Sequence, residues 1–339
     1  MLVDLRSDTV TRPTPAMMAA MAAAPLGDDV FYDDPSANAL QAKLAEMLGF
    51  EDALFMASGT QSNLCGLMAH CGRGDEYLVG QSAHTYRYEG GGAAVLGSIQ
   101  PQPITNQADG SIALADIEAS IKPDDAHFAR TRLLALENTI GGKVLPLSYI
   151  ADATNLARRK GLGTHLDGAR LFNAAVAAGG DPYTAAREIA QHFESVSVCF
   201  SKGLGAPIGS MLCGSRELIE RSRRWRKMLG GGMRQVGQLA AAASHALDHH
   251  VIRMADDHVL AKRLAAGLQG LPGVTVEVPQ TNIVFVQVAP EKAQGLLDHL
   301  AANGVLATGL YTLRFVTHLD VDAAGIDRAI AAMSTYFRS

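Results

Sequence analysis

Val196-Ser197-Val198-Cys199-Phe200-Ser201-Lys202-Gly203-Leu204-Gly205-Ala206-Pro207 is an apolar run that ends on a lysine set among glycines. Ser195 to Phe200 reads as a buried strand, because small, β-branched and aromatic residues fill it without a charge. Lys202 then falls on a turn, where Gly203 and Gly205 leave room for a ligand. A half-buried amine is a better nucleophile toward a carbonyl than a solvated one. A solvated loop lysine is the alternative that these residues alone leave open.

Working outward from that run, strand-like and helical segments alternate. Ala53 to Ala57 leads into a helix from Gln61 to His70. Glu76 to Gly80 and Leu133 to Glu137 read as strands, Leu147 to Arg159 as a helix, and Gly163 to Asp167 as a strand followed by helical Ala169 to Ala178. Gly209 to Cys213 is a further strand. Such alternation predicts an α/β fold with a mostly parallel sheet and helices on both faces. In these sheets ligands bind beyond the carboxyl ends of the strands. Beyond Gly237 the pattern changes to long Ala/Leu-rich helices and closely spaced strands, which predicts a small α+β unit. The expected organisation is an N-terminal arm over 1–14, a large domain over 15–244 and a small C-terminal domain over 245–339. The arm's Leu2 to Thr9 looks too polar for a buried strand.

Composition narrows the class. The chain has 339 residues, 48% hydrophobic and 19% charged, which suits a globular protein with one large and one smaller domain. Its net charge of -5 gives no electrostatic case for nucleic acid or a membrane surface as partner. The basic cluster Arg221 to Lys227 therefore reads as a solvated helix face. Cys65, Cys71, Cys199 and Cys213 form no C-x-x-C pair and read as buried reduced thiols, which favours a cytoplasmic setting. Asp4, Arg6 and Asp8 rule out a signal peptide at the start, and the apolar stretch Leu239 to Leu247 is too short to span a bilayer. His249, His250 and His258 lack a set of metal partners, so no metal is expected.

Two more strand ends carry chemistry. Ser58-Gly59-Thr60-Gln61-Ser62-Asn63 lies between a strand and a helix. Thr60 there offers a hydroxyl beside unpaired helix N–H groups, which makes a phosphate cup. Alone, the stretch reads equally as a Ser/Thr helix cap. In His165-Leu166-Asp167-Gly168-Ala169-Arg170 the aspartate can reach the crevice, or simply cap the next helix. Together, a phosphate cup, an acid and a lysine at three strand ends match what pyridoxal 5'-phosphate (PLP) requires.

The sequence resembles the L-threonine aldolase family, within the fold-type I (aspartate aminotransferase-like) PLP enzymes. The likeness runs nearly end to end. It rests on Asp4-Leu5-Arg6-Ser7-Asp8-Thr9-Val10-Thr11, the Ser58 and Asp167 motifs above, Glu137-Asn138-Thr139, Ser201 to Pro207, and Gly231-Gly232-Met233-Arg234-Gln235. The resemblance implies Lys202 as the Schiff-base lysine and Asp167 as the partner of the ring nitrogen. It assigns Gly59, Thr60 and Ser201 to the phosphate, with Arg234 reaching the phosphate of a neighbouring subunit and Lys227 lining that interface. His84 would stack on the cofactor and, with His127 near the substrate's β-hydroxyl, is a candidate base. Arg170, at the cofactor's edge, would bind the substrate carboxylate with Ser7 and Arg314. From the residues alone Arg170 reads equally as an ion-pair partner, and His84 as a loop histidine.

The implied activity is that of an aldehyde-lyase. It would cleave L-threonine, L-allo-threonine and other β-hydroxy-α-amino acids to glycine and an aldehyde, in a homo-oligomer that is at least a dimer and by resemblance a tetramer. Another PLP-dependent reaction such as β-elimination is the alternative, and a non-catalytic PLP-binding protein a more distant one. Two departures bear on substrate preference. Where such families commonly show Asp-Asp-Val-Tyr-Gly, this chain has Asp28-Asp29-Val30-Phe31-Tyr32, and where many have histidine after Glu-Asn-Thr it has Ile140.

Overall fold

Strands that are apolar on both sides need cover on both faces, and here helices provide it. The computed structural model describes residues 2–309 and 312–338. Its strands in chain order are β1 (Val3–Asp4), β2 (Asp52–Met56), β3 (Asp75–Gly80), β4 (Gln100–Ile104), β5 (Arg130–Glu137), β6 (Gly163–Gly168), β7 (Ser195–Cys199), β8 (Ser210–Gly214), β9 (Thr275–Val276), β10 (Ile283–Gln287), β11 (Val305–Leu306) and β12 (Thr312–Val316). β2 to β8 form one sheet in the order β2-β8-β7-β6-β5-β3-β4. β8 runs against β2 and β7, and the other neighbouring pairs are parallel. Every residue of β7 and β8 is buried, the condition under which a strand loses its polar alternation.

β4 was not evident from the sequence Gln100-Pro101-Gln102-Pro103-Ile104. It lies at the sheet edge and pairs with β3 alone. An edge strand has one row of donors to spare, and two prolines two residues apart remove donors from a single row.

The smaller sheet has β10 between β12 and β9, both antiparallel to it. Its apolar face packs with the helices Met254–Leu268, Pro290–Ala302 and Ala323–Arg338, through residues such as Leu264, Leu296, Phe315 and Met333. Val3 and Leu5 of the arm belong to this second core. Val3 pairs in parallel with Val305, while Asp4 and Arg6 point outward and form an ion pair at 2.6 Å. The arm therefore does contain a short strand. Its two-residue alternation is hidden by the charges that surround it. The large core includes Leu247, Val251 and Met254, and the second core includes Ala261 and Leu264, so the two meet along the helix Met254–Leu268. Among the described residues no helix is long and apolar enough to cross a membrane.

Candidate active site

The carboxyl edge of the large sheet gathers the exits of β2, β3, β5, β6 and β7. At the exit of β2, Ser58 is extended and its Oγ accepts a hydrogen bond from the Gln61 N–H at 3.2 Å. This cap starts the helix Gly59–His70, whose first N–H groups present the positive end of the helix dipole. Thr60 is exposed beside them. A β-carbon on Gly59 would lie 2.7 Å from Cys199 Sγ, at the end of β7. Glycine thus lets the helix start rest against the strand that delivers Lys202.

Beyond β7 the chain turns tightly. Gly205 N–H donates to the Lys202 carbonyl at 2.8 Å, and Ala206 N–H to the Phe200 carbonyl at 3.0 Å. Ser201 and Lys202 are half-buried on this turn. Lys202 lies near enough for its charge to act on Asp8, His84, Glu137 and Cys199.

At the exit of β6, Asp167 is 2% exposed. Its Oδ1 accepts from Ala169 N–H at 3.0 Å and its Oδ2 from Asn63 Nδ2 at 2.9 Å. Asn63 Nδ2 also donates to Glu89 Oε1 at 2.9 Å, and that oxygen lies 2.9 Å from His84 Nδ1. Donor atoms of His84, Glu89 and Asp167 lie within 4.8 Å of one another. The Asn63 amide bridges the two carboxylates, so the cluster forms one hydrogen-bond network. The Glu89 hydrogen bond holds the His84 ring above its ordinary value, against the burial that would lower it. Burial and the neighbouring Asp167 raise the Glu89 carboxyl. Glu89 has no role in the sequence reading above. A lone glutamate before three glycines carries no local signal of burial.

Glu137, at the exit of β5, accepts the His84 backbone N–H at 2.7 Å. Burial, followed by the charge of Asp167, pushes its carboxyl up to about 8. Between the ordinary glutamate value of about 4.3 and pH 8 the unfolded chain gives up this proton while the folded one keeps it. Stability therefore falls as pH rises through that window. Glu137→Gln removes the effect, so the variant should gain stability over the parent between pH 5 and pH 8, measured as the denaturant midpoint of the cofactor-free protein. An equal midpoint difference at both pH values would contradict it.

A second group forms where the arm crosses the edge. Arg170 Nε and Nη2 donate to Asp8 Oδ2 and Oδ1 at 2.8 and 2.7 Å. Asp8 is fully buried and also accepts from Asn282 Nδ2 at 3.2 Å. The ion-pair reading of Arg170 is thus part of its geometry, and Nη1 is left for any further anion. Arg314 Nη2 donates to the Arg6 carbonyl at 3.2 Å, while its buried Nε has no hydrogen-bond partner among the described residues. Ser7 Oγ accepts from Thr9 N–H at 3.3 Å. Burial alone would raise the Asp8 carboxyl, but Arg170 holds it down at about 2. The stabilisation is present above the unfolded value of about 3.9 and is lost as pH falls toward 2. Asp8→Asn should destabilise the protein by ~3 kcal/mol at neutral pH, the cost of leaving a buried charge alone. Denaturant melts should show this deficit shrinking below pH 4, and a deficit under ~1 kcal/mol at pH 7 would contradict the assignment.

Other residues singled out by the sequence have partners of their own in this chain. His127 is exposed on the turn before β5 and pairs with Asp125 at 2.6 Å. The eight residues of β5 separate that turn from Glu137, roughly 23 Å at about 3.3 Å per residue. Arg234 is exposed and pairs with Asp28 at 3.1 Å, and Lys227 is exposed near Gly232. Phe31 is 72% exposed, and Tyr32 adopts a left-handed φ of 63° with the Arg223 guanidinium 4.7 Å over its ring. Ile140 is buried in the large core.

A family model described as beta-eliminating lyase matches residues 4–291. The chain belongs to this family. Low specificity L-threonine aldolase of Escherichia coli (strain K12) is 53% identical over 320 residues, covering 94% of this chain and 95% of that protein. Probable low-specificity L-threonine aldolase 2 of Arabidopsis thaliana is 41% identical over 350 residues, covering 99% and 98%. Among solved structures, Leishmania major threonine aldolase superposes with a TM-score of 0.82 at 21% identity, covering 98% of this chain and 99% of that one. Sphingomonas wittichii serine palmitoyltransferase does so with a TM-score of 0.79 at 19% identity, covering 99% and 87%. At such identities the structural likeness speaks for the fold. It extends over the arm, the large sheet and the small core of this lyase alike.

Proposed function

We propose that this lyase uses PLP to cleave L-threonine, L-allo-threonine and related β-hydroxy-α-amino acids into glycine and an aldehyde. The observation that carries the reading is the convergence of Lys202, buried Asp167 and the open end of the helix Gly59–His70 on one edge, in a chain 53% identical to a low specificity L-threonine aldolase.

The residues present fit the cofactor. Asp167 is a buried acid held by two N–H donors, which suits an anion facing a protonated ring nitrogen. The exposed Thr60 and the helix end suit a phosphate, and Gly59 and Ser201 border the same place. The unpartnered Nε of Arg314 suits an anionic ligand such as the substrate carboxylate. When bound, PLP supplies an electron sink for the pair released as the Cα–Cβ bond breaks.

The chain's own groups do the rest. Lys202 Nζ would hold the cofactor covalently, and Asp167 would keep the proton on its ring. Ser7, Arg314 and the free Nη1 of Arg170 would grip the substrate carboxylate and so orient the amino acid for cleavage. Glu89 takes the proton-bearing side of the His84 imidazole, which leaves Nε2 as the base for the β-hydroxyl proton. Arg234 and His127, which are exposed and pair with Asp28 and Asp125, would act on a neighbouring copy's site, so we propose a homo-oligomer, at least a dimer.

β-Elimination is the second reading, favoured by the family's description. A product assay separates the two. Incubation of the PLP-loaded protein with L-threonine should release glycine and acetaldehyde in equal amounts, whereas ammonia with a 2-oxo acid would overturn the proposed reaction. Sedimentation of a monomer under assay conditions would overturn the shared-site arrangement.

A further inference from the structure

We propose that Asn63 is a positioning residue for Asp167, locked in one orientation by a directed hydrogen-bond chain that runs from His70 through Ser195 and His165. The proposal rests on the reading of Asp167 as the partner of the cofactor's ring nitrogen.

Three elements supply the chain. Asn63 and His70 are seven residues apart on one helix, two turns along the same face. His165 and Asp167 are two apart on β6 and so share one side of the sheet. Ser195 opens β7 and pairs in register with His165. The contacts are His70 Nε2 to Ser195 Oγ at 2.8 Å, Ser195 Oγ to His165 Nδ1 at 2.8 Å, and His165 Nε2 to Asn63 Oδ1 at 3.2 Å. A β-carbon on Gly66 would come within 2.9 Å of the His165 ring, so a glycine in the helix makes the space for this imidazole.

The direction of every donor follows from the far end. Asn63 Nδ2 faces two carboxylate oxygens, Asp167 Oδ2 and Glu89 Oε1, each at 2.9 Å. Two acceptors need two hydrogens, which fixes the NH2 group there and the carbonyl toward His165. His165 Nε2 must then carry a proton and Nδ1 must accept one from the Ser195 hydroxyl. Ser195 Oγ in turn accepts from His70 Nε2–H. Each histidine needs one ring proton, and burial favours this, holding His165 down at about 4 and His70 at about 3. Asn63, His165 and Ser195 are all at most 1% exposed, so water cannot substitute for a missing link.

The consequence concerns charge. Asp167 and Glu89 are close enough to compete for a proton, and a shared proton would neutralise Asp167. One amide hydrogen to each carboxylate lets both stay ionised at this separation. A rotated amide would set its carbonyl against two anions, and the His165 N–H prevents that rotation.

The test is a double-mutant cycle on cofactor affinity, read by titrating cofactor-free protein with PLP. Asn63→Ala should weaken affinity about tenfold, the scale of a hydrogen bond to a charged group. Ser195→Ala, which removes one oxygen from the chain, should weaken it by roughly threefold, less than the direct bond. In an Asp167→Asn background neither substitution should weaken affinity further. An equal loss in both backgrounds would show a general structural effect and overturn the proposal alone. Undiminished affinity in Asp167→Asn itself would overturn the reading of Asp167 and the proposal with it. Should Asn63→Ala fail to fold, the Ser195→Ala cycle decides by the same criterion.

Discussion

Replacing Lys202 by alanine is expected to abolish turnover of L-threonine and to remove the visible absorbance of the PLP-loaded protein. The loss should be at least about 10³-fold, or ~4 kcal/mol of barrier. The amine's value lies in where it sits, at the end of an all-buried strand and beside an open helix end. Four of the seven other lysines are held in ion pairs elsewhere. Lys43 pairs with Asp248, Lys122 with Glu76, Lys143 with Glu277 and Lys160 with Glu118. None of them can stand in. The fold should survive, because Asp8 keeps Arg170 as its principal partner and the turn is built from backbone hydrogen bonds. Steady-state kinetics with an absorbance spectrum checks the prediction, and parental turnover in this variant would remove the basis of the proposed chemistry.

Asp167→Asn is expected to lower kcat/KM by about 10³-fold, within the ~3–5 kcal/mol range for stripping one partner from a buried charge. Asparagine matches the shape but replaces one carboxylate oxygen with an N–H donor. One of the two donors that now reach Asp167, Ala169 N–H or Asn63 Nδ2, would lose its acceptor. The ring nitrogen would lose the anion that keeps it protonated. The deficit should appear mainly in kcat, because the carboxylate grip around Arg170 and Arg314 is untouched. A drop confined to KM would assign Asp167 to substrate binding instead.

The three motifs at the strand ends were legible because each is local. A strand with the turn or helix start that follows it occupies a dozen consecutive residues, and an apolar run ending on glycines or capping residues marks it. The helix Pro182–Ala190 is equally marked by its Asp181 cap and Pro182 start. The polar relations of the site were not legible. Asp8 and Arg170 are 162 residues apart in the chain, Asn63 and Asp167 are 104 apart, and Asp8 and Asn282 are 274 apart. Asp8 sits in an arm that looked merely polar, and its burial depends on Val3 and Leu5 docking on the small core.

The order of residues alone settled the alternation of strands and helices, and with it which edge of the sheet would carry the lysine, the acid and the open helix end. Backbone periodicity and caps act over a few residues, so they can be read without knowing what lies opposite. Packing decided that one asparagine serves two carboxylates, that Asp8 takes two donors of Arg170, and that His127 and Arg234 pair with Asp125 and Asp28 at the surface. Those pairings arise where distant segments exclude water together and each buried polar group takes whichever partner the fold brings within about 3 Å.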